Sequence, residues 1–158
     1  MKLFRHLSEH VPCEPRVLTI GKFDGVHRGH AAILARVAEV AAQSGARASV
    51  LTFEPHPRDF FAVKVTGASA QPRVASLRDT VFLLRLAQVE QMLIQRFDSA
   101  FASMSAEEFV RELLVKRLGV QHLLVGEDFR FGKERRGDLA LLAKEGKRYG
   151  FTTETVPG

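Results

Sequence analysis

The chain has 158 residues, of which 46% are hydrophobic and 26% charged. This length is enough for one domain with a sizeable core, and the composition is that of an ordinary globular protein. No apolar run approaches the roughly 20 residues of a membrane span, so no membrane association is expected. The net charge of +5 suits anionic small molecules as well as nucleic acid. Because there is no long basic run, nucleic-acid binding is not expected.

Cys13 is the only cysteine, which excludes an internal disulfide. The N-terminal residues are too polar for a signal peptide. A lone thiol is typical of a reducing compartment, so we expect a cytoplasmic protein. Nothing in the sequence indicates an oligomeric state.

Strands and helices alternate along the chain. Short apolar runs predict strands at Val17–Ile20, Ala48–Phe53, Gln91–Phe97, Val120–Val125 and Phe151–Val156. Helical spacing and capping signals predict helices at Gly29–Gln43, Ser76–Gln88, Ser105–Leu118 and Asp138–Tyr149. Pro55 and Pro57 predict the end of regular structure, and Glu54–Ala75 is expected to be a long connection.

This alternation predicts an α/β fold with a mainly parallel sheet flanked by helices. In such sheets ligands bind beyond the carboxyl ends of the strands, near a reversal in strand order. Three unusual segments directly follow predicted strands: Gly21–His30, Glu54–Phe61 and Gly126–Asp138. We therefore expect these three segments to converge at one edge of the sheet.

The segment Gly21–His30 has the features of a phosphate site. A helix N-terminus offers free N–H groups and a partial positive charge. His27 and His30 lie three residues apart, on the same side of the first turn, and both imidazoles can donate to phosphate oxygens. A zinc pair or two surface histidines are the alternatives. Zinc needs a third protein ligand, which is not obvious nearby, so no protein metal site is predicted.

Glycines and an aspartate complete this segment. Gly21 and Gly25 allow the backbone to turn tightly and to approach a ligand closely. Asp24 is expected to hold a turn or to lie near a magnesium ion. The Walker A pattern is absent, so the segment is not a P-loop.

The residues GKFDGVHRGHAAIL resemble the GxFDGxHxGH signature of the adenylyl- and cytidylyltransferase superfamily. Members of this superfamily transfer the nucleotidyl group of a nucleoside triphosphate to an acceptor phosphate. Pyrophosphate leaves, and no covalent enzyme intermediate forms. The HxGH motif identifies the superfamily and leaves the acceptor open.

Two further stretches resemble one particular family. LTFEPHPRDFF is similar to the TFxPHPxxxF stretch, and LLVGEDFRFGKERRGDLALL to the GxDFRFGxxRxGD stretch, of bacterial bifunctional riboflavin kinase/FMN adenylyltransferases, also called FAD synthetases. The residues FDSAF and SAEEFVRELLVKRLG match the connecting helix of that family. The resemblance runs from about Val17 to Thr155, which is nearly the whole chain.

The resemblance implies a Rossmann-like HxGH nucleotidyltransferase domain that converts ATP and FMN into FAD and pyrophosphate with Mg²⁺. It places the ATP-binding motif at Gly21, Phe23, Asp24, Gly25, His27 and His30. It places a second nucleotide-binding motif at Asp128, Phe129, Phe131 and Gly132. It places a flavin-side loop at Pro55, His56 and Pro57.

FMN offers a flat apolar ring and a charged phosphate. Side chains suited to the ring are Phe60, Phe61, Phe129 and Phe131, for which core packing is the alternative. Side chains suited to the phosphate are Arg130, Arg135 and Arg136, for which a solvated loop is the alternative. His27 and His30 are the expected catalytic residues, because they can stabilise the charge that develops as the FMN phosphate attacks the α-phosphorus of ATP.

In this family a third motif, (I/V)SSTxIR, follows shortly after the position of Val156, and this chain has no such segment. Residues 1–158 are therefore expected to be an FMN adenylyltransferase domain that is incomplete at its C-terminus and carries no riboflavin kinase domain. Two alternatives stay open. One is a weakly active or inactive fragment that binds nucleotide or flavin. The other is an HxGH nucleotidyltransferase with another acceptor, such as phosphopantetheine or nicotinamide mononucleotide.

Overall fold

A computed structural model of the chain describes residues 1–7, 10–23, 28–66 and 77–157. Its strands are β1 (Lys2–Arg5), β2 (Arg16–Ile20), β3 (Arg47–Glu54), β4 (Gln91–Arg96), β5 (Val120–Gly126) and β6 (Thr152–Val156). They form one parallel sheet in the order β1-β4-β3-β2-β5-β6. The strand order reverses at β2, because β3 and β4 lie on one side of it and β5 and β6 on the other. The predicted α/β fold is confirmed.

The helices are α1 (Arg28–Ser44), α2 (Pro57–Thr66), α3 (Leu77–Leu86), α4 (Ser99–Ala102), α5 (Ala106–Glu108 continued by Phe109–Arg117) and α6 (Leu139–Tyr149). Helix α5 begins as an α-helical turn, Ala106–Glu108, and continues as a π-helical stretch, Phe109–Arg117. A short 3-10 turn, Lys133–Arg135, lies between β5 and α6.

The core has two parts, one on each face of the sheet. All five residues of β2 are buried, as expected for a central strand covered on both faces. Leu18 and Ile20 pack with buried residues of α5 and α6, whereas Val17 packs with buried residues of α1 and α3. Helices therefore cover both faces, and the two faces meet along β2.

The predicted capping residues are found at their helices. The Ser105 hydroxyl accepts the Glu108 N–H at 3.1 Å, and the Asp138 carboxylate accepts the Leu141 N–H at 2.9 Å. Gly119 follows α5 with a φ of +66°, and a Cβ there would lie 2.6 Å from the Glu14 carbonyl oxygen. Only glycine fits this stop without a rearrangement.

Helix α2 corrects one prediction. Glu54–Ala75 was expected to be a connection without regular structure, but residues Pro57–Thr66 are helical. Proline is compatible with the first helical turn, because the N–H that it lacks would have no intrahelical acceptor there. Pro55 does follow the end of β3, as expected. The predicted start of α3 at Ser76 lies outside the described residues.

Strand β1 and the short helix α4 were not predicted. The side chains of β1 are exposed or half-buried, and the strand pairs with β4 at the edge of the sheet. A four-residue edge strand buries little apolar surface, so the sequence carries no clear alternation there. Helix α4 is a single turn whose N-cap, Asp98, accepts the Phe101 N–H at 2.9 Å.

A fully buried side chain, that of Arg16, joins several elements at the amino-terminal end of the sheet. Its Nε donates to Gln91 Oε1 at 2.8 Å, and its Nη1 donates to the carbonyl oxygens of Pro12 at 2.7 Å and Leu118 at 2.6 Å. Burial lowers the pKa of Arg16, while the carboxylate of Glu14 opposes that shift. These hydrogen bonds tie β2 to β4 and to the end of α5.

We predict that Arg16→Met lowers the free energy of unfolding by about 3 kcal/mol or more, because the carbonyls of Pro12 and Leu118 lose their buried donor. Arg47→Met is the matched control. Its side chain is 60% exposed and bonds Glu90 at 2.9 Å, so the loss should stay below about 1 kcal/mol. Urea unfolding of both variants measures the difference, and equal losses would contradict the prediction.

Candidate active site

A cavity of about 640 Å³ opens at the carboxyl ends of the central strands. Gly21 follows β2 at its edge, His56 follows β3, and residues 128–132 follow β5. The volume is within the usual range for small-molecule sites. The segments after β3 and β5 meet at the end of β2, where the strand order reverses, as expected. Of the first segment only Gly21 lines the cavity, and residues 24–27 lie outside the described residues.

The walls of the cavity are largely aromatic. Seven phenylalanines line it: Phe53, Phe61, Phe97, Phe101, Phe109, Phe129 and Phe131. Their rings form a connected series from α2 to the segment after β5, with centroids of successive rings 5.2–6.1 Å apart. Most of these contacts are tilted or edge-to-face, which is the favourable geometry for aromatic pairs. The wall can therefore hold a flat apolar ligand on a surface that is already packed.

Phe131 belongs both to the core and to this wall. It is only 6% exposed, and its ring stacks on Phe129 at an interplanar angle of 15°. The backbone of Phe131 pairs with that of Gly137 through two hydrogen bonds of 2.8 and 3.2 Å. A Cβ on Gly137 would lie 2.7 Å from the ring of Phe131, so a glycine is required for this packing.

The aromatic cavity has a charged rim. The lining residues with full charges are Arg58, Arg130, Arg135, Asp128 and Glu134. Within the part of the chain that the structure describes, none of the three guanidinium groups forms an ion pair. The cations are therefore available to an anionic ligand. Arg136 does not line the cavity, because its side chain is 75% exposed and pairs with Glu134 at 2.9 Å.

The turn that carries Arg135 has an unfavourable backbone conformation. Glu134 and Arg135 have φ values of +56° and +54°, and the Arg136 N–H donates to the Lys133 carbonyl at 3.2 Å. Side chains other than glycine rarely adopt this left-handed region, and doing so is unfavourable by about 1 kcal/mol or more per residue. Strain of this kind is concentrated at functional sites.

The turn is fixed by Gly132, which precedes it. Gly132 has a φ of +78°, and a Cβ there would lie 2.6 Å from Cα of Ala106, at the start of α5. The next N–H, that of Lys133, donates to the Met104 carbonyl at 2.9 Å. The close approach to α5 and this hydrogen bond hold Glu134 and Arg135 beside the cavity.

Phe23 and helix α1 pack on the other face of the sheet. Phe23 is buried in the core beneath α1 rather than exposed in the cavity, and its ring contacts that of His30 at 4.9 Å. His30 is half-buried in the first turn of α1. Phe23 therefore supports the position of His30. The other predicted residues of this motif, Asp24, Gly25 and His27, lie outside the described residues.

The structure corrects the prediction that Gly21 is needed for a tight turn. Its backbone is not left-handed, and a Cβ would meet only the ring of Phe23, at 3.4 Å. The turn itself therefore does not require glycine at this position. Its N–H donates to the Leu51 carbonyl at 3.1 Å, which keeps the end of β2 beside β3. The close approach of a ligand to Gly21 stays a prediction.

His56 directly precedes helix α2. Its Nδ1 accepts the N–H of Arg58 at 3.2 Å, and its carbonyl accepts the N–H of Phe60 at 3.0 Å. His56 and Pro57 line the cavity, whereas Pro55 and Phe60 do not. Phe60 instead packs on Phe61 and Phe97, outside the cavity wall.

Several lining residues were not predicted as site residues. They are Phe53, Arg58, Phe97, Phe101, Met104 and Phe109. The stretch from Phe97 to Phe101 directly follows β4, so its place after a strand was the available signal. Phe109 lies within the predicted helix Ser105–Leu118, and helical spacing cannot distinguish a residue of a cavity wall from a residue of the core.

Among the described residues, no group of three or more His, Cys, Asp or Glu side chains could hold a metal ion. In the same part of the chain, no helix is long and apolar enough to cross a membrane.

Comparison with known proteins identifies relatives that share almost the whole chain. The chain is 44% identical over 153 residues to the bifunctional riboflavin kinase/FMN adenylyltransferase of Escherichia coli K12, covering 96% of this chain and 48% of that protein. It is 47% identical over 160 residues to the protein of the same name from Pseudomonas fluorescens, covering 99% and 49%. The chain thus spans about half the length of these curated relatives.

A solved structure shares the fold. A crystal structure from Streptococcus pneumoniae, described as a macrolide-efflux protein, matches with a TM-score of 0.75 and 23% identity over 99% of this chain and 50% of that chain.

The family model of FAD synthetase matches residues 10–158. With this match over nearly its whole length, the chain belongs to the FAD synthetase family.

Proposed function

We propose that this chain carries out FMN adenylyl transfer, in which ATP and FMN give FAD and pyrophosphate. The observation that carries the proposal is the aromatic cavity with its arginine rim, which opens beside Gly21 at the reversal in strand order. A flavin ring fits the phenylalanine wall, and a phosphate fits the unpaired guanidinium groups. The relatives named above support the same reaction.

The two substrates are proposed to bind on opposite faces of the sheet. FMN occupies the cavity on the α5 face, and the triphosphate of ATP lies at the N-terminus of α1, near His30. The two faces meet at Gly21, where β2 ends. This arrangement brings the FMN phosphate towards the α-phosphorus of ATP. The correct placement of the two reactants would then supply much of the rate enhancement.

In the proposed reaction, an oxygen of the FMN phosphate attacks the α-phosphorus of ATP in line. The new P–O bond forms as the bond to pyrophosphate breaks. His30, His27 and the N–H groups at the start of α1 stabilise the charge on the departing pyrophosphate. No general base is required, because the attacking phosphate is already an anion.

Mg²⁺ is proposed to accompany ATP. This ion binds through one or two carboxylates together with substrate phosphates and water, so a protein cluster of several ligands is not needed. Asp24, in the ATP-binding motif, is the carboxylate proposed to lie near this ion. When bound, Mg²⁺ would neutralise charge on the triphosphate.

An HxGH transferase with another acceptor is the main alternative. Phosphopantetheine and nicotinamide mononucleotide have phosphates that the arginine rim would accept equally well. The extended phenylalanine wall favours the larger flavin ring. A protein that binds flavin and nucleotide without turnover is the other alternative, and only an assay separates it from the enzyme.

The test is calorimetric titration of the 158-residue chain with ATP·Mg²⁺ and, separately, with FMN. A chromatographic assay for FAD with both substrates follows. Binding of both and formation of FAD are expected. Binding of ATP without FMN would favour another acceptor, and binding of both without FAD would favour a non-catalytic binder.

We predict that His30→Ala lowers kcat by about 100-fold or more with a small change in KM, because the lost donor acts mainly as charge develops on the leaving group. His10→Ala, an exposed histidine outside the site, is the control and should keep the wild-type kcat. Steady-state kinetics of FAD formation gives both constants. An unchanged kcat in His30→Ala would exclude this role.

We predict that Arg135→Gly weakens FMN binding about tenfold or more and leaves the free energy of unfolding unchanged or higher. The substitution removes a charge-assisted donor from the cavity, while glycine adopts the left-handed conformation without steric strain. Calorimetric titration with FMN and urea unfolding measure the two effects.

Arg136→Gly should show the opposite pattern. It removes the same charge one residue later, but Arg136 has a right-handed backbone, with a φ of −75°. FMN affinity should stay within about twofold, and stability should fall by up to about 1 kcal/mol. If both variants weakened FMN binding equally, general electrostatic attraction and not a specific contact of Arg135 would be responsible.

A further inference from the structure

The N-cap of helix α2 is a histidine, His56, although serine, threonine, aspartate and asparagine are the usual residues at this position. Its Nδ1 accepts the N–H of Arg58 at 3.2 Å, which is the bond that a capping side chain makes. An accepting Nδ1 carries no proton, so the neutral ring has its proton on Nε2. The cap therefore depends on one tautomer of the imidazole.

Helix α2 is a short helix whose described side chains lie near the surface of the protein. It has 10 residues, and its side chains from Pro57 to Lys64 are exposed or half-buried. A helix of this length is marginal in water without tertiary packing. Among the described contacts of this helix, Phe60 and Phe61 pack on Phe97 at ring distances of 5.3 and 5.8 Å, and Lys64 Nζ donates to Ser99 Oγ at 3.4 Å. A cap at the first turn is therefore expected to contribute to the order of this helix.

The same turn forms one wall of the cavity. Pro57, Arg58 and Phe61 all line it, and Phe61 is 47% exposed there. The backbone N–H that His56 holds is that of Arg58, one of the cations on the rim. Loss of the cap would release both the aromatic side chain and the guanidinium group from their places.

We propose that His56 is a positioning residue for the flavin substrate, acting through its Nδ1 on the first turn of α2. It orients Arg58 and Phe61 towards FMN, and its imidazole does not need to touch the substrate for this. The role of FMN as the ligand rests on the function proposed above. The competing role for His56 is a direct contact between its ring and FMN.

Two substitutions separate these roles. His56→Asn keeps a side-chain acceptor at the N-cap but removes the imidazole, whereas His56→Leu removes the acceptor and keeps an apolar side chain of similar bulk. For His56→Leu we expect Kd and KM for FMN to rise about fivefold, which corresponds to the roughly 1 kcal/mol of a lost cap, with kcat within about twofold. For His56→Asn we expect Kd, KM and kcat within about twofold of the wild-type values.

Amide hydrogen exchange supplies a readout that needs no substrate. In His56→Leu the amides of Arg58 to Phe61 should exchange about fivefold faster than in the wild type, while those of the central strand β2 keep their protection. In His56→Asn the exchange of α2 should resemble that of the wild type. Unchanged protection of β2 shows that the variant is folded.

Three results would overturn the proposal. Equal loss of FMN affinity in both variants, with α2 still protected in His56→Asn, would show a direct contact. Unchanged exchange in His56→Leu would show that no cap orders α2. Faster exchange in His56→Leu with unchanged FMN affinity would show a cap that does not position the substrate. If the wild-type chain bound no FMN, the proposed function would fail, and hydrogen exchange would still decide whether His56 orders α2.

Discussion

The arrangement of the site depends on the reversal of strand order at β2. The chain leaves β2 through α1 on one face and reaches β3, whereas β5 joins the opposite side of β2 after α5 has crossed the other face. No connection can cover the carboxyl end of β2 without crossing another, so a crevice is left there. The crevice becomes a cavity because the segments after β3 and β5 enclose it from both sides. The groups of the site are arranged around the carboxyl end of the buried strand β2, which Gly21 follows.

The two ends of the sheet have different chemistry. At the amino-terminal end, Arg16 has buried partners on β4, on the loop before β2 and at the end of α5. At the carboxyl-terminal end, the arginines of the cavity rim are exposed and have no protein anion in the described residues. Cationic side chains at one end are thus used for folding, and those at the other end remain available to a ligand. Substitutions of the rim arginines are therefore not expected to disturb the hydrogen bonds of Arg16 that hold β2.

The sequence predicted the frame of the molecule well and the cavity only in part. The helix caps Ser105 and Asp138 were found because their signals are local, involving residues three apart. Helix α2 was missed because a proline at a first helical turn resembles a helix breaker when only composition is considered. The aromatic wall was missed at Phe97 and Phe109 because its rings meet across elements that are distant in sequence. Such contacts depend on how the strands and helices are arranged in space, and a local sequence pattern does not predict that arrangement.

The short antiparallel pairing of Phe131 with Gly137 has a consequence for how a ligand arrives. It closes residues 131–137 into a loop whose ends are hydrogen-bonded to each other and whose ring is packed on a glycine. Much of the conformational entropy of this loop is therefore lost during folding and not during binding. A ligand that enters would meet this part of the wall already in place, so we expect no rearrangement of residues 131–137 to limit the association rate. We therefore expect this part of the wall to select ligands by their shape, because a rigid aromatic surface cannot close around a smaller ligand.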